Sequence, residues 1–262
     1  MLANYHVHTS RCRHATGTDE EYVQKAIAEG IKILGFSDHA PYLYPNGYTS
    51  YYKMLPEEAE DYFASLSALR EKYKDKIKIY IGYEAEFYPE LWDKTLEFWK
   101  STHRPEYLLL GQHYLNEEYK TDRRIRVFNE TDRNDILSLY VDTVVKAIET
   151  EKFTCLAHPD VINFVGDEDF YLTEMSRLLE AVRIHNIPIE LNTLGLASGR
   201  HYPNPKFWEL ASHCGVNAIL GCDAHSPERV GDRDEIINSL RFADKYNINV
   251  IEEINLINPF DR

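Results

Sequence analysis

The sequence predicts an α/β protein whose parallel strands form a β/α barrel. Short apolar, β-branched segments alternate with longer segments of helical periodicity, which is typical of a parallel sheet with helices around it. The chain has 262 residues, which is long enough for one large barrel. No linker-like or low-complexity stretch divides it, so we expect a single domain over residues 1–262.

Seven segments have the apolar, β-branched composition of buried strands. The predicted strands cover residues 2–8, 31–39, 77–86, 107–113, 153–160, 187–193 and 216–225. A short apolar segment, residues 249–254, is a possible remnant of an eighth strand.

A helix is predicted after each strand from apolar periodicity and from signals at the helix ends. Thr18 and Glu21 form a capping-box pattern at the start of the first helix, and Gly30 is a natural stop after it. Pro56 begins the second helix, which continues to about residue 74. The other predicted helices cover residues 90–101, 132–151, 172–185, 205–214 and 232–246. Segment 41–52 is rich in Tyr, Pro and Gly and is predicted to be a lid or binding loop.

Composition excludes several classes of partner. A net charge of −14 argues against a nucleic acid held by counterion release and against an anionic membrane surface. No apolar run reaches the ~18 residues of a membrane span, and the N-terminus lacks the pattern of a secretory signal. The four cysteines have no paired spacing and are typical of reduced thiols. We therefore predict a cytoplasmic protein without a nucleic-acid or membrane partner, and the oligomeric state is left open.

Potential metal ligands stand at the C-terminal end of every predicted strand except the sixth. In a β/α barrel these strand ends face one cup, so side chains far apart in sequence would meet there. His6 and His8 illustrate the pattern, because residues two apart on a strand point to the same face. The full set of predicted ligands is His6, His8, His14, His39, Glu84, His113, His158, Asp223 and His225.

The residue types in this set indicate transition metals. Imidazole with a few carboxylates suits Zn, Mn or Fe better than Ca or Mg. Nine ligands exceed the three or four protein ligands of one zinc ion, so we expect two or three divalent ions and no organic cofactor. Glu84 and Asp223 are candidates to bridge ions, because a carboxylate has two oxygens to share. The chain lacks GxSxG, Walker and GxGxxG patterns, so competing catalytic designs have little support.

Other polar residues receive more ordinary interpretations. Histidines at predicted helix C-termini are favoured there by the helix dipole, and these are His103, His185 and His213. Asp38 is out of phase with His39 and is expected to orient a histidine. Cys12 lies near three histidines, but those are better used on metal than in a Cys/His nucleophile. Glu117, Glu118 and the Arg123–Arg124 pair are predicted to belong to a solvated loop.

The ligand motifs, taken together, resemble those of the PHP (polymerase and histidinol phosphatase) superfamily. The matching segments are His6-Val-His8, His14, Ser37-Asp38-His39, Glu84, His113, His158 and Asp223-Ala-His225. Their order, residue type and spacing fit over nearly the whole chain. The resemblance implies a distorted, TIM-like (β/α)7 barrel with a three-metal site at the C-terminal ends of the strands. It also implies three ligand groups: His6, His8, Glu84 and Asp223; Glu84, His113 and His158; and His14, His39 and His225.

Within the superfamily the chain is most similar to the monofunctional histidinol-phosphate phosphatases of bacterial histidine biosynthesis. Residues 190–193 and 198–203 resemble the strand-six region in which an arginine contacts the substrate phosphate, and this implies that role for Arg200. Some relatives carry another arginine a few residues beyond strand five, where this chain has Asn163. More of the phosphate contact is therefore expected from Arg200.

The resemblance implies hydrolysis of L-histidinol phosphate by a metal-bridging hydroxide that attacks in line. Asp160, or a metal-bound water, would protonate the leaving group. Glu86 and Asp160 would bind the cationic groups of histidinol, and His201 is a further candidate for substrate binding. Two alternatives stay open: a phosphoesterase or phosphodiesterase for another small phosphate ester or nucleotide, and a non-catalytic metal-binding module. A nuclease should carry a basic track, which this chain lacks, and a module is disfavoured because all nine ligand positions are filled.

Overall fold

The computed structural model describes residues 1–261. Its strands are β1 Ala3–Asn4, β2 Ile33–Phe36, β3 Lys78–Ile81, β4 Tyr83–Ala85, β5 Leu108–Leu110, β6 Tyr114–Leu115, β7 Ile125–Arg126, β8 Cys155–Leu156, β9 Ile189–Asn192, β10 Asn217–Gly221 and β11 Asn249–Val250. Its α-helices are α1 Asp19–Ala28, α2 Ala59–Tyr73, α3 Trp92–Ser101, α4 Asn134–Glu149, α5 Glu168–Ile184, α6 Thr193–Ala197, α7 Pro205–His213 and α8 Arg233–Lys245. Single 3₁₀ turns cover Ser10–Cys12, Pro45–Gly47, Pro56–Glu58 and Pro227–Arg229.

The main strands pair in parallel, which confirms the predicted α/β class. One sheet has the order β1-β2-β3, and a second has the order β11-β10-β9-β8-β5-β4. The strands β3 and β4 follow one another with only Gly82 between them, so the two sheets share one continuous segment. An isolated bridge between His39 and Glu84 also joins them.

The last main strand returns to the first at the end that carries the predicted ligands. Beyond β10, Ala224 forms a parallel bridge with Val7. The backbone N–H of His8 donates to the carbonyl of Ala224 at 3.0 Å, and the N–H of Ala224 donates to His6 at 3.4 Å. At its opposite end β10 pairs with β11, the predicted remnant of an eighth strand. The first and last main strands are thus joined at their C-terminal ends, whereas β11 pairs with the N-terminal end of β10.

Tyr107 crosses the interior below the predicted site. Its ring is fully buried, and its hydroxyl donates to the carbonyls of Tyr5 at 2.8 Å and Phe36 at 3.0 Å. Any Cβ atom at Gly35 or Gly82 would collide with this ring, so these two glycines make the crossing possible. The lower half of the ring is therefore filled by protein, and the cup lies at the C-terminal ends of the strands.

The elements also differ from prediction in specific places. Most strands are shorter than predicted. The predicted ligands at their C-terminal ends mostly lie beyond the last residue that pairs in the sheet. The segment between the predicted sixth strand and the predicted helix 205–214 contains the short helix α6, whose start is capped by Asn192. The charged loop predicted around residues 117–124 joins the two strands of the antiparallel hairpin β6–β7. The prediction that it is solvated is wrong for two of its residues, since Glu117 is 4% and Glu118 0% exposed.

Membrane-spanning helices were also sought. Within residues 1–261 the structure has no helix long and apolar enough to cross a membrane.

Candidate metal centre

Glu84, on β4, lies at the centre of the predicted ligands. Its Oε2 is 3.0 Å from Nδ1 of His39 and 3.6 Å from Nε2 of His6. Its Oε1 is 2.9 Å from Nε2 of His158 and 3.4 Å from Nε2 of His113. Nε2 of His8 lies 3.7 Å from Oε2, so one buried carboxylate faces five imidazoles from four strand ends. This arrangement fits a group that bridges two metal ions.

Asp223, just beyond β10, is the second carboxylate of the cluster. Its Oδ1 lies 3.0 Å from Nε2 of His8, 3.6 Å from Nε2 of His6 and 3.4 Å from Nδ1 of His225. The first two imidazoles also face Glu84, at 3.7 Å and 3.6 Å. The structure therefore brings together the first predicted ligand group.

The outer part of the cluster contains His14, His39 and His225. The ring of His14 lies 4.5 Å from that of His225 and 5.3 Å from that of His39, between centroids. His225 also stacks on His8, with centroids 4.0 Å apart. The ligand atoms of Cys12, His14 and His225 lie within 4.8 Å of one another. The third predicted group is thus continuous with the first, and a thiol adjoins it.

Several buried nitrogen and oxygen atoms of the cluster make no hydrogen bond of acceptable geometry within residues 1–261, although some lie close to an opposite group, as Nδ1 of His39 does at 3.0 Å from Glu84. They are His6 Nε2, His8 Nδ1 and Nε2, His39 Nδ1, Glu84 Oε2, His158 Nδ1 and His225 Nε2. A buried polar atom without a partner costs about 1–3 kcal/mol, so this many at one place require an explanation. Bound cations supply one, and the His/carboxylate donor set suits Zn, Mn or Fe.

The carboxylates and imidazoles of the cluster differ in charge state. Burial would raise the pKa of Glu84, but the surrounding imidazoles, His113 foremost, hold it well below its ordinary value. Burial lowers the pKa of His39 well below its ordinary value and that of His225 to about 3. Burial also opposes a charge on His8 and His158, but Asp223 raises the pKa of the first and Glu84 raises the pKa of the second. An ionised carboxylate and neutral imidazoles are the forms that bind a metal ion, so an ion bound by the inner histidines would displace their protons.

Glu190, on β9, is a site residue that the sequence reasoning missed as a functional group. Its Oε1 lies 2.7 Å from Nδ1 of His6, and its Oε2 accepts from the backbone N–H of His158 at 3.0 Å. Burial opposes a charge on His6, but Glu190 and the other carboxylates raise its pKa to about 10. The contact with Nδ1 leaves Nε2 of His6 directed at Glu84 and Asp223.

A sequence signal for Glu190 existed. Glu190 and Asn192 are two residues apart on an apolar strand, so both polar side chains point to the same face. Both are buried, and the amide of Asn192 donates to Glu190 at 3.0 Å and to Asp223 at 3.2 Å. A Cβ atom at Gly221 would lie 1.7 Å from Oε1 of Glu190, so glycine leaves the space that this carboxylate fills.

Asp38 lies beside a histidine as predicted. Its Oδ1 is 3.4 Å from Nδ1 of His8 and accepts from the backbone N–H of His39 at 2.9 Å. The hydroxyl of Thr9 donates to its other oxygen. The neighbouring Cys12 is fully buried, and burial raises the pKa of its thiol, which does not support a nucleophilic role.

The expectation that Glu86 binds substrate is corrected by its surroundings. Glu86 is fully buried, and its Oε1 lies 3.0 Å from Nδ1 of His113. The hydroxyl of Tyr52 donates to the same oxygen at 3.2 Å, and the buried ammonium of Lys53 pairs with it. This carboxylate therefore orients a predicted ligand and balances a buried cation.

The positions of Asp160 and His201 do not favour the substrate and acid roles expected for them, which stay predictions. Asp160 is buried, and its Oδ2 accepts from the backbone N–H of Asn204 at 2.5 Å and from Nε1 of Trp208 at 3.1 Å. Nε2 of His201 lies 2.7 Å from the carbonyl of Val161. Neither side chain lines the cavity in front of the cluster. Both tie the loop after β8 to the segment before α7.

A cavity of about 680 Å³ opens in front of the cluster. Arg200 lines it, as predicted, with its guanidinium hydrogen-bonded to the hydroxyl of Tyr202. Two arginines that the sequence reasoning did not single out, Arg126 and Arg229, also line it. Much of the remaining wall is aromatic, formed by Tyr51, Tyr52, Tyr114, Phe128 and Tyr202. Glu84 and Asp223 are the carboxylates of this lining, so its outer part is cationic and aromatic.

Segment 41–52, the predicted lid or binding loop, is anchored by a buried carboxylate. Glu118 accepts hydrogen bonds from the hydroxyls of Tyr44 at 2.7 Å, Tyr48 at 2.9 Å and Tyr52 at 3.1 Å. The segment thus reaches the cavity wall, and closure over a ligand stays a prediction.

Comparison with known proteins gives consistent matches. The model of the PHP domain family matches residues 4–194, which is more than half of the chain. A relative from Deinococcus radiodurans with the name "Probable histidinol-phosphatase" is 28% identical over 235 residues, covering 88% of this chain and 89% of the relative. The "Histidinol-phosphatase" of Bacillus subtilis is 23% identical over 256 residues, covering 86% and 94%.

A solved structure shares the fold. It is the histidinol phosphate phosphatase from Lactococcus lactis, complexed with zinc, L-histidinol and phosphate. The TM-score is 0.74 at 17% identity, and the match covers 97% of this chain and 98% of that one.

Proposed function

The chain belongs to the PHP domain family, and we propose that it is a metal-dependent phosphatase that hydrolyses L-histidinol phosphate to L-histidinol and phosphate. The observation that carries this proposal is the cluster around Glu84, whose unpaired donor atoms lie beside a cavity lined by Arg200. The names of two relatives supply the substrate, and the ligands in the Lactococcus lactis structure are consistent with it. The proposed pathway is histidine biosynthesis, and the proposed location is the cytoplasm.

We propose two or three divalent ions, of Zn, Mn or Fe, as the cofactor. His6, His8, Glu84 and Asp223 would hold one ion, Glu84, His113 and His158 a second, and His14, His39 and His225 a third. When bound, such ions lower the pKa of a water nucleophile and offset the charge of phosphoryl oxygens. The surrounding residues fix the ligand tautomers: Glu190 faces Nδ1 of His6, and Glu86 faces Nδ1 of His113.

The remaining residues of the cavity would bind the two ends of the substrate. Arg200 presents a guanidinium that can bind phosphate with two parallel hydrogen bonds, and Tyr202 holds it against the wall. The ammonium and imidazole groups of histidinol would meet the aromatic faces of Tyr51, Tyr52 and Tyr114. Aromatic faces attract cations, so these rings replace the carboxylates expected from the sequence.

A second candidate is a phosphatase for another small phosphate ester. The specific observation in its favour is the outer cavity wall, which holds three arginines and would accept a more anionic substrate than histidinol phosphate. A metal-binding module without catalysis has less support, because seven of the nine predicted ligands line a cavity large enough for a substrate.

Activity assays on metal-loaded protein would separate these functions. L-histidinol phosphate, p-nitrophenyl phosphate and a dinucleotide are compared, each before and after dialysis against a chelator. We expect a kcat/KM for L-histidinol phosphate at least 100-fold above the other two, lost with the metal and restored by Zn or Mn. Equal rates on both monoesters would favour the second candidate, cleavage of the dinucleotide would favour a phosphodiesterase, and activity that survives chelation would overturn the proposal.

A further inference from the structure

Arg126 occupies a position on the cavity wall next to a predicted metal ligand. It lies on β7, which pairs antiparallel with β6 so that Arg126 is opposite Tyr114. The next residue, Val127, donates its backbone N–H to the carbonyl of His113 at 3.0 Å. The hairpin therefore attaches Arg126 directly to the strand end that carries His113, and the side chain of Arg126 lines the cavity.

Two arginines and two aromatic rings form one continuous row on this wall. The guanidinium carbon of Arg126 lies 5.4 Å from the centroid of Phe128, and that of Arg200 lies 5.7 Å from the centroid of Tyr202. The centroids of Phe128 and Tyr202 are 6.3 Å apart.

The row stands directly against the metal ligands. The ring of His113 stacks on Phe128 with centroids 5.6 Å apart and planes 8° apart, and the ring of His158 lies 6.0 Å from Tyr202. The two guanidinium groups thus flank the wall in front of the second predicted ligand group.

Both guanidinium groups are free to meet an anion. Among residues 1–261 no carboxylate lies within 4.0 Å of the guanidinium nitrogens of Arg126 or Arg200, whereas Arg229 pairs with Glu235 at 2.6 Å. A cavity whose rim holds two cations without a carboxylate partner, beside the predicted metal ligands, is suited to a dianionic group.

The backbone that carries Arg126 is held firmly. The side-chain amide of Asn163 donates to the carbonyl of Phe128 at 3.3 Å, and its backbone N–H donates to Val127 at 3.0 Å. The guanidinium of Arg124 donates to the hydroxyl of Tyr48 at 2.9 Å. The loop after β8 and segment 41–52 therefore fix both sides of the hairpin and place Arg126 at a defined point on the rim.

We propose that Arg126 binds the phosphoryl group of the substrate together with Arg200, as the second half of a clamp supported by Phe128 and Tyr202. The inference rests on the proposed function, because it takes a phosphate ester as the ligand. It also gives a role to Arg126, to which the sequence motifs assigned none. The clamp brings two fixed positive charges to a protein with a net charge of −14.

The test compares Arg126→Met with Arg123→Met, a matched change at an exposed position of the same hairpin that does not line the cavity. Metal-loaded variants are assayed for kcat and KM with L-histidinol phosphate, and for the binding of inorganic phosphate by equilibrium dialysis. We expect Arg126→Met to lower kcat/KM about 10- to 100-fold and to weaken phosphate binding by a similar factor. Arg123→Met should stay within about twofold of wild type, and Arg126→Lys should fall between the two.

Failure of this inference is distinguishable from failure of the proposed function. An active wild-type enzyme whose Arg126→Met and Arg123→Met variants behave alike in both measurements would overturn the clamp and leave the phosphatase intact. A wild-type protein without activity on L-histidinol phosphate would overturn the substrate assignment. In that case the loss of phosphate binding in Arg126→Met, measured without turnover, still supports the clamp.

Discussion

A Cβ atom added to Gly111 would lie 1.9 Å from Oε1 of Glu84. Gly111 follows β5 directly, and the missing side chain is what lets the central carboxylate of the cluster occupy its place. The space beside Gly111 is filled by Glu84, a predicted metal ligand, so a change in packing at Gly111 should also change metal binding.

Gly111→Ala should therefore lose metal. The added methyl group displaces Glu84, and such overpacking costs about 1–3 kcal/mol of folding stability. Metal content per chain, measured by mass spectrometry after reconstitution, should fall by at least one ion. Gly82→Ala is the matched control, since its Cβ collides with Tyr107 and not with a ligand. If both variants keep the metal content of wild type, the coupling is refuted.

Lys53→Met should destabilise the fold strongly. The side chains of Lys53 and Glu86 are both 1% exposed, and removing one partner of a buried ion pair costs about 3–5 kcal/mol because the other charge stays buried. Urea unfolding of the metal-free protein would measure this loss. The double variant Lys53→Met/Glu86→Gln should recover part of it, because Glu86 is then neutral and only the buried Glu118, whose Oε2 lies 3.8 Å from the ammonium of Lys53, has lost a cation. A double variant as unstable as the sum of the two single changes would contradict the pairing.

Glu190→Gln should weaken metal binding and leave the fold nearly intact. The amide keeps the shape of the side chain but removes the charge beside Nδ1 of His6. Loss of such a partner costs about 10- to 100-fold in metal affinity, which a competing chelator can measure. Glu174→Gln is a suitable control, because Glu174 is also buried but pairs with Arg177 on α5. If Glu190→Gln and Glu174→Gln bind metal with equal affinity, Glu190 does not support the metal centre.

Asp160→Asn should keep the catalytic pH profile of wild type. The amide oxygen can still accept from Asn204 and Trp208, and the group does not line the cavity. We expect kcat within about threefold of wild type, measured from pH 5 to 9. If the plot of kcat against pH loses its fall at high pH in Asp160→Asn, Asp160 is the general acid after all.

The ligands at the strand ends could be predicted from local sequence, because a short apolar segment that ends in histidine indicates a buried strand with a polar residue at its C-terminal end. Side chains alternate between the two faces of a strand, so residues two apart point to the same face. In a parallel barrel the C-terminal ends of all strands lie at the same end, and these two rules bring His6 and Asp223 together. Glu190 was missed because no histidine accompanies it on its strand, and its contact with His6 comes from the first strand of the chain.

The substrate-facing residues were harder to predict because their surroundings come from distant parts of the chain. Glu86 shares the face of Glu84, yet Lys53 and Tyr52 cover it from segment 41–53. Glu118 belongs to a charged segment, and three tyrosines from segment 41–52 bury it. Spacing in sequence gives the direction of a side chain, whereas partners that arrive through tertiary contacts decide whether it stays free to meet a ligand.

The bridge between Val7 and Ala224 has a consequence for the order of biosynthesis. His6 and His8 leave the ribosome early, whereas Asp223 leaves it only after most of the chain has been made. A nascent chain shorter than this cannot assemble the first ligand group, since translation supplies its members at opposite ends. An ion held by that group would therefore be bound only after Asp223 has been synthesised.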